Sequence, residues 1–155
     1  YERPHHQSAA SEIVRFHAST DPAYTPPGPG VCIDKDRAPE PVNGIAKEAP
    51  KPDCISPDGC LFCTKHRDVM SPDYCWKLAS HAKIKSLEAG LYRPPENQDI
   101  HPAYRVIERI NKKLEAIASG SEIRAMWVSE SRDLIRAGKY HPSWSGHIEL
   151  MEVIA

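Results

Sequence analysis

The sequence has no long run of apolar residues and few of the side chains that build a large core. Leu, Ile, Val and Phe together supply 29 of its 155 residues. Since a membrane-spanning helix needs about 18 or more consecutive apolar residues, we expect no such helix here. The length suits one domain better than two domains with separate cores. A core this small is expected to need additional stabilisation.

An excess of charge of one sign is also lacking. The sequence has 20 Lys and Arg residues and 21 Asp and Glu residues, which gives a formal net charge of -1. No global field therefore attracts a polyanion, so a DNA site would have to be a local patch. The opening residues, Tyr1 to Pro4, lack the apolar core of a secretory signal. This pattern predicts a cytoplasmic protein.

Proline and cysteine are abundant, but only in the first part of the chain. Of the 15 prolines and 5 cysteines, ten prolines and four cysteines precede residue 64. Proline spacing through 19–57 excludes a long helix or a central strand. We expect a proline-rich arm over residues 1–70, with one short helix within 8–18, and a helical part of the same domain over 71–155.

The second part carries a series of helix-start and helix-stop signals. Apolar residues recur there with the 3.6-residue period of an amphipathic helix. The predicted helices run from Ser71-Pro72 to just before Gly90, from His101-Pro102 to Gly120, from Ser121 to Gly138, and from Pro142 onward. The expected fold class is mainly α: a zinc-stapled proline-rich arm followed by a small helical bundle.

The cysteines of the arm have the spacing of a metal site. Cys54, Cys60 and Cys63 form a C-x5-C-x2-C motif, and Cys32 lies upstream. Four thiolates can close the tetrahedral shell of a structural Zn²⁺ ion, which can contribute roughly 10 kcal/mol or more to folding. No H-x-E motif precedes the C-x2-C pair, so we expect a closed structural site rather than a catalytic one.

Two other ligand sets are compatible with the same motif. His66 follows Cys63 by three residues and is an alternative zinc ligand to Cys32. Cys75, added to Cys54, Cys60 and Cys63, would give four thiolates for an iron–sulfur cluster. A disulfide framework is disfavoured because no secretory signal accompanies the cysteines.

Basic residues on the predicted helices are candidates for nucleic-acid binding, because their spacing places them on shared helix faces. Glutamates lie among them, so a solvated face is the alternative interpretation. The candidates are Lys77, Lys85, Arg105, Arg109, Lys112 and Lys113.

Three strings have a family resemblance. TPPGPGVC (25–32), CISPDGCLFC (54–63) and SPDYCWKLASHAKIKSLE (71–88) resemble the cysteine-rich C-terminal region of bacterial tyrosine recombinases of the phage integrase class. GKYHPSWS (138–145) resembles that region less closely. The resemblance covers about the middle third of the chain. It implies a role in DNA recombination or integration, with DNA and the remainder of a parent recombinase or its partner subunits as partners.

In that family, a tyrosine attacks a DNA phosphodiester with the help of arginines and a histidine. The resemblance makes Tyr1, or Tyr24 with His17, candidate relics of that machinery. The sequence has no H-x-x-R box, and neither tyrosine could act without the arginines. We therefore expect a non-catalytic zinc-binding accessory domain that supports DNA binding or subunit assembly. A zinc-stabilised protein-interaction module without DNA binding, or a fragment of an iron–sulfur nucleic-acid enzyme, is the alternative.

Overall fold

A computed structural model describes residues 13–91 and 100–154. Within these ranges the protein is mainly helical, as predicted, with one small antiparallel sheet. The elements are β1 (Val31–Cys32), α1 (Pro57–Cys60), β2 (His66–Arg67), α2 (Pro72–Leu91), α3 (Pro102–Ala118), α4 (Glu122–Arg136) and α5 (Pro142–Ile154).

The four long helices begin where the sequence predicts. The Ser71 hydroxyl accepts a hydrogen bond from the Tyr74 amide at 3.1 Å, and the Ser121 hydroxyl accepts one from Arg124 at 3.1 Å. The His101 ring caps α3 in the same way. These contacts satisfy amides that a helix start leaves without intrahelical partners. The predicted end of α2 is wrong, because Gly90 lies inside the helix and α2 continues to Leu91.

The arm has no long helix in its described residues, and its backbone is held by scattered pairings. The predicted helix over 8–18 is wrong from Val14 onward, and residues 8–12 lie outside the described ranges. Asp68 explains this, because its amide donates to the Arg15 carbonyl at 2.7 Å and its carbonyl accepts from the His17 amide at 2.8 Å. Paired in this way, residues 15–17 are extended rather than helical.

One apolar core joins the arm to the helices. The buried apolar residues of the arm pack against the inner faces of α2, α3 and α4, so the two parts share a core rather than each having its own. The cluster contains Val14, Ala49, Leu61, Phe62, Tyr74, Cys75, Leu78, Ala79, Val106, Ile110, Leu114, Ile117 and Val128. None of the helices in the described ranges is both long enough and apolar enough to cross a membrane.

Candidate metal centre

Backbone pairing places Cys32 and Cys63 on neighbouring segments. Cys32 pairs with His66 across the β1–β2 ladder, and the Ile33 amide donates to the Lys65 carbonyl at 3.1 Å. Tyr24 pairs with Cys32 on the side that faces away from β2, and Pro41 forms a β-bridge with Cys63. Both cysteines are therefore held through backbone hydrogen bonds, in a segment where apolar packing is sparse.

Cys60 is the last residue of the one-turn helix α1, which packs closely against other segments of the arm. A Cβ atom on Gly59 would lie 2.7 Å from the carbonyl oxygen of Lys51. A Cβ atom on Gly28 would lie 2.4 Å from the carbonyl oxygen of Pro57. Only glycine permits backbones to approach this closely. The two glycines thus allow the C-x2-C segment to pack beside Lys51–Pro52 and beside the proline-rich 26–29 segment.

Cys54 has an unusual backbone. Its φ is 62° and that of Arg37 is 51°, and these are the two non-glycine residues with positive φ in the described part of the chain. The left-handed region costs a residue with a Cβ atom of order 1–3 kcal/mol, and such strain concentrates at functional sites. The Cys54 thiol donates to the Arg37 carbonyl at 3.5 Å, so both strained residues belong to one site.

All four predicted zinc ligands line one small cavity, which has a volume of about 30 Å³. Prolines and Val31 form much of its remaining wall, together with Arg37 and His66. A space of this size holds about one water-sized particle. The cysteines that line it are Cys32, Cys54, Cys60 and Cys63.

Two backbone amides are directed at sulfur atoms in the same pattern. The Asp34 amide donates to Cys32 Sγ at 3.4 Å, and the Lys65 amide donates to Cys63 Sγ at 3.5 Å. In each case the donor lies two residues after the cysteine. The Lys65 ammonium also pairs with the Asp34 carboxylate at 3.1 Å, which joins the two turns. An N–H group directed at sulfur favours the thiolate, the form that binds metal.

The thiols influence one another electrostatically. The pKa of Cys60 is raised to about 11, chiefly by burial; a hydrogen bond with the Gly28 backbone opposes the rise, and the sulfurs of Cys63, Cys54 and Cys32 contribute to it. Burial and the sulfurs of Cys63 and Cys32 also raise the pKa of Cys54. Thiolates this close repel one another unless a cation lies between them, so the cluster is electrostatically suited to a divalent metal.

The thiols do not form a completed coordination shell. Within 13–91 and 100–154, no three His, Cys, Asp or Glu side chains are arranged as a group that could hold a metal ion. The Cys32 thiol donates to the Asp34 carbonyl at 3.6 Å, and the Cys60 thiol lies 4.0 Å from the carbonyl oxygen of Ser56. Metal binding would therefore require the thiols to lose their protons and to turn from these carbonyls toward the cavity.

His66, the alternative ligand, lines the cavity, and one of its two ring nitrogens already has a hydrogen-bond partner. Its Nε2–H donates to the Pro29 carbonyl at 2.7 Å, and the ring is buried. Burial lowers its pKa to about 4, and the nearby Lys113 charge acts in the same direction. His66 is therefore neutral at pH 7, and since its Nε2 is occupied by Pro29, only its Nδ1 could bind a metal.

Cys75 lies elsewhere. It is fully buried on α2 in the apolar core and does not line the cavity. Burial raises the pKa of its thiol to about 11. The structure thus does not bring together the four cysteines Cys54, Cys60, Cys63 and Cys75 that the iron–sulfur alternative requires, because α2 turns Cys75 toward α3 and α4.

Asp58 connects the metal motif to helix α2. The His81 Nε2–H donates to its Oδ1 and the Lys85 ammonium donates to its Oδ2, each at 2.7 Å. Burial opposes ionisation of Asp58, but these hydrogen bonds and the Lys85 charge outweigh it, so the pKa of Asp58 is lowered. The sequence predicts part of this contact, since the spacing of four places Lys77, His81 and Lys85 on one face of α2. It does not identify Asp58 as their partner.

The candidate nucleic-acid residues do not form one exposed surface. Lys85 and Lys113 are buried in ion pairs, with Asp58 and Asp68 respectively. Arg105 pairs with Glu48 at 3.2 Å. Spacing on a helix predicts which residues share a face, but it does not show whether that face is turned inward.

The remaining three basic candidates differ in exposure. Arg109 donates to the Leu61 carbonyl at 2.8 Å and lies over the Phe62 ring, whereas its helix neighbour Lys112 is exposed. Lys77 on α2 is half-buried. Of the six candidates, Lys112 is therefore the one whose charge is most accessible to solvent.

A buried polar network holds the arm against α3. The Asp68 carboxylate accepts hydrogen bonds from the Lys113 ammonium at 3.2 Å, from the Arg15 amide at 2.9 Å and from the Tyr74 hydroxyl. Burial opposes ionisation of Asp68, but the Lys113 charge and these donors outweigh it and lower its pKa. Sequence reasoning missed this network because Asp68 and its hydrogen-bond partners are up to 53 residues apart in the chain.

The tyrosine and histidine candidates have structural contacts in the arm. His17 Nε2 lies 3.1 Å from the carbonyl oxygens of both Asp21 and Pro22, so the ring holds a turn. Tyr24 exchanges two backbone hydrogen bonds with Cys32 and is 37% exposed. Tyr1 lies outside the described residues.

No protein-family model matches this sequence, and no curated protein or solved structure is significantly similar to it. The resemblance to tyrosine recombinases stays a prediction from three short strings. Function is therefore inferred from the geometry of the site.

Proposed function

We propose that this chain is a non-catalytic metal-binding module in which one zinc ion, held by Cys32, Cys54, Cys60 and Cys63, fastens the proline-rich arm. The observation that supports this most strongly is the convergence of all four cysteines on one cavity of about 30 Å³. They come from segments of the arm separated by up to 31 positions, and the fold brings them together although the arm has few apolar residues.

The chemistry of the donor set fits zinc better than hard cations. Thiolates are soft ligands that favour zinc over magnesium or calcium. When bound, zinc would supply bonds to four sulfurs and leave no open position for water, so its contribution would be structural. The amides of Asp34 and Lys65 would stabilise the thiolates from outside the shell.

Cobalt substitution tests this ligand set. Titrating Co²⁺ into the reduced, metal-free chain is expected to produce sulfur-to-cobalt charge-transfer absorbance that saturates at one equivalent. The variants Cys32→Ser, Cys54→Ser, Cys60→Ser and Cys63→Ser should each lose intensity, whereas Cys75→Ser, which alters the remaining cysteine, should retain the full spectrum. An unchanged spectrum in any of the four variants would remove that cysteine from the shell.

The iron–sulfur alternative is tested on the protein as isolated. We expect a colourless chain with about one zinc per molecule by elemental analysis. Broad visible absorbance together with iron and acid-labile sulfide would instead support a cluster. The position of Cys75 in the core disfavours the ligand set Cys54, Cys60, Cys63 and Cys75, so a cluster would have to use Cys32 in place of Cys75.

For the wider role, we propose an accessory domain of a recombinase-like protein, supported by the resemblance of the cysteine motif and the first part of α2. The alternatives within this role are DNA contact and subunit assembly. One observation favours a DNA contact: Arg15, Arg109 and Lys112 line a polar groove of about 490 Å³ together with Glu40. Basic side chains beside a groove can neutralise backbone phosphates.

Salt dependence separates DNA contact from assembly. If the groove contacts phosphates, log Kd for duplex DNA should rise steeply with log salt, and Lys112→Glu should reduce the slope by about one. The matched control is Lys139→Glu, which reverses an exposed charge in the turn between α4 and α5. Equal effects of the two variants, or no DNA binding at low salt, would leave subunit assembly as the role.

A further inference from the structure

Asp58 lies between Cys54 and Cys60 in the cysteine loop, which we define as residues 54–63. Its side chain is 17% exposed, and its two carboxylate oxygens bind two different residues of α2. Oδ1 accepts from His81 and Oδ2 from Lys85, both at 2.7 Å. One carboxylate oxygen therefore has a ring N–H donor and the other has an ammonium donor. Together these two hydrogen bonds fix the orientation of α1 relative to α2.

The residues that hold Asp58 are themselves fixed. His81 is fully buried, and its ring stacks on Trp144 of α5 with a centroid distance of 4.7 Å and an interplanar angle of 22°. Lys85 also binds Glu88 at 2.7 Å. A carboxylate held by side chains with little rotational freedom is a rigid attachment rather than a fluctuating surface contact.

The opposite side of the cysteine loop is equally confined. The close approach of Gly59 to Lys51 and Pro52 leaves no room for α1 to move toward the arm. Asp58 thus attaches the α1 part of the loop to α2, whereas Leu61 and Phe62 at its other end lie in the shared core. The arm backbone limits α1 from the opposite side. Cys60 and Cys63 follow within the next five positions, so their placement depends on the orientation of α1.

We propose that Asp58 is a positioning residue for the metal site: held by His81 and Lys85, it sets the orientation of α1 and so directs Cys60 and Cys63 into the cavity. The inference rests on the proposed function, since it concerns the same four thiols. Asp58 is not itself a ligand, because both of its oxygens are occupied by α2. Outer-shell residues of this kind change metal affinity by about 10- to 100-fold.

A comparison of two matched variants tests the proposal. Asp58→Asn weakens the attachment of the loop to α2. Glu48→Gln weakens a different attachment of the arm to the helices, the ion pair of Glu48 with Arg105, in which the Glu48 side chain is 20% exposed against 17% for Asp58. Zinc affinity is measured for both by competition with a chromophoric chelator, at a temperature where each variant has native circular dichroism.

The expected result is a zinc affinity about 10- to 100-fold lower for Asp58→Asn and unchanged for Glu48→Gln. The cobalt charge-transfer band should also broaden or lose intensity in Asp58→Asn alone, a change that general destabilisation would not produce in a folded chain. Lys85→Met keeps the His81 contact and should give a smaller loss in the same direction, which supplies a second variant if Asp58→Asn does not fold.

Two failures can be told apart. If the wild-type chain binds neither zinc nor cobalt, the proposed function is wrong and this inference falls with it. If the wild-type chain binds zinc but Asp58→Asn binds it equally well, or if Glu48→Gln loses as much affinity as Asp58→Asn, only the positioning role of Asp58 is overturned.

Discussion

The arm and the helical part of this protein are ordered by different forces. Helices α2 to α4 turn regular apolar faces toward one core, with Leu78, Val106 and Ile110 fully buried. The arm contributes few residues to that core, and backbone bridges and a buried ion pair hold its chain instead. Under the proposed function, a zinc ion bound by the four cysteines that line one cavity adds to these attachments. A proline-rich segment cannot form a helix or a central strand, so it needs attachments that do not require regular secondary structure.

This difference predicts that the two parts respond to different perturbations. Removal of a metal ligand should release the arm while leaving the helices largely intact. A cavity in the core should destabilise the helices and the docked arm together.

Loss of a metal ligand should have the largest effect. Cys60→Ser should remove a large part of an apparent metal-binding free energy of roughly 10 kcal/mol and should expose arm amides to hydrogen exchange. The control, Cys75→Ser, places a hydroxyl in the apolar core and should cost about 1–3 kcal/mol without affecting metal binding. Equal stability of wild type, Cys60→Ser and Cys75→Ser, with or without chelator, would contradict the metal assignment.

Breaking the buried ion pair should come next. Asp68→Asn leaves the Lys113 ammonium buried without its partner carboxylate and should lower the free energy of unfolding by about 3–5 kcal/mol, measured by urea denaturation. Asp133→Asn is the control, since it removes an exposed ion pair of α4 and should change stability little. A similar loss in both variants would show that burial of the pair is unimportant.

The same ion pair predicts the direction of a pH effect. The pKa of Asp68 is lower in the folded chain than its usual value of 3.8. Its contribution to stability is therefore fully present above that value and is lost as pH falls through the lower folded-state pKa. Unfolding free energy measured from pH 6 down to pH 2 should fall more steeply for wild type than for Asp68→Asn. Parallel curves would contradict this assignment.

A cavity in the helical core should cost somewhat less and should leave the metal site unaffected. Ile110→Ala removes a fully buried side chain and should lower the free energy of unfolding by about 2–5 kcal/mol. Zinc affinity of the folded variant should match that of wild type, because Ile110 does not line the cavity of the cysteines. A large drop in zinc affinity would show that the two parts are not stabilised separately.

The smallest effect is expected at a partly exposed attachment of the arm. Glu48→Gln weakens the ion pair with Arg105, in which both side chains are at least 20% exposed. Pairs of this kind contribute about 0–1 kcal/mol. Thermal denaturation should therefore shift only slightly, and a loss as large as that of Asp68→Asn would contradict the ranking of the attachments.

The sequence predicted the helices well because their signals are local. His101 and Ser121 cap the helices that they were expected to begin, and the apolar period of 102–118 matches the buried face of α3. Gly90 misled the prediction, since a glycine can end a helix but does not have to, and here α2 continues through it. The four cysteines that line the cavity are the set that the sequence favoured, although it also left His66 and Cys75 as alternatives, and their metal stays a prediction.

The partners of the buried charges could not be predicted in the same way. Lys85 and Lys113 were expected on a basic surface, but Asp58 and Asp68 neutralise them from positions 27 and 45 residues away. Helical periodicity identifies residues on one face, whereas a pairing of this kind depends on how the arm folds back. The sequence contains no local signal for that path.

The zinc K-edge X-ray absorption spectrum of the chain purified with zinc tests the four-cysteine site most directly. We expect one zinc per chain with a shell of four sulfur atoms at about 2.3 Å. A shell dominated by nitrogen or oxygen at about 2.0–2.2 Å, or a chain that retains no zinc at all, would contradict the claim that these four cysteines hold the arm.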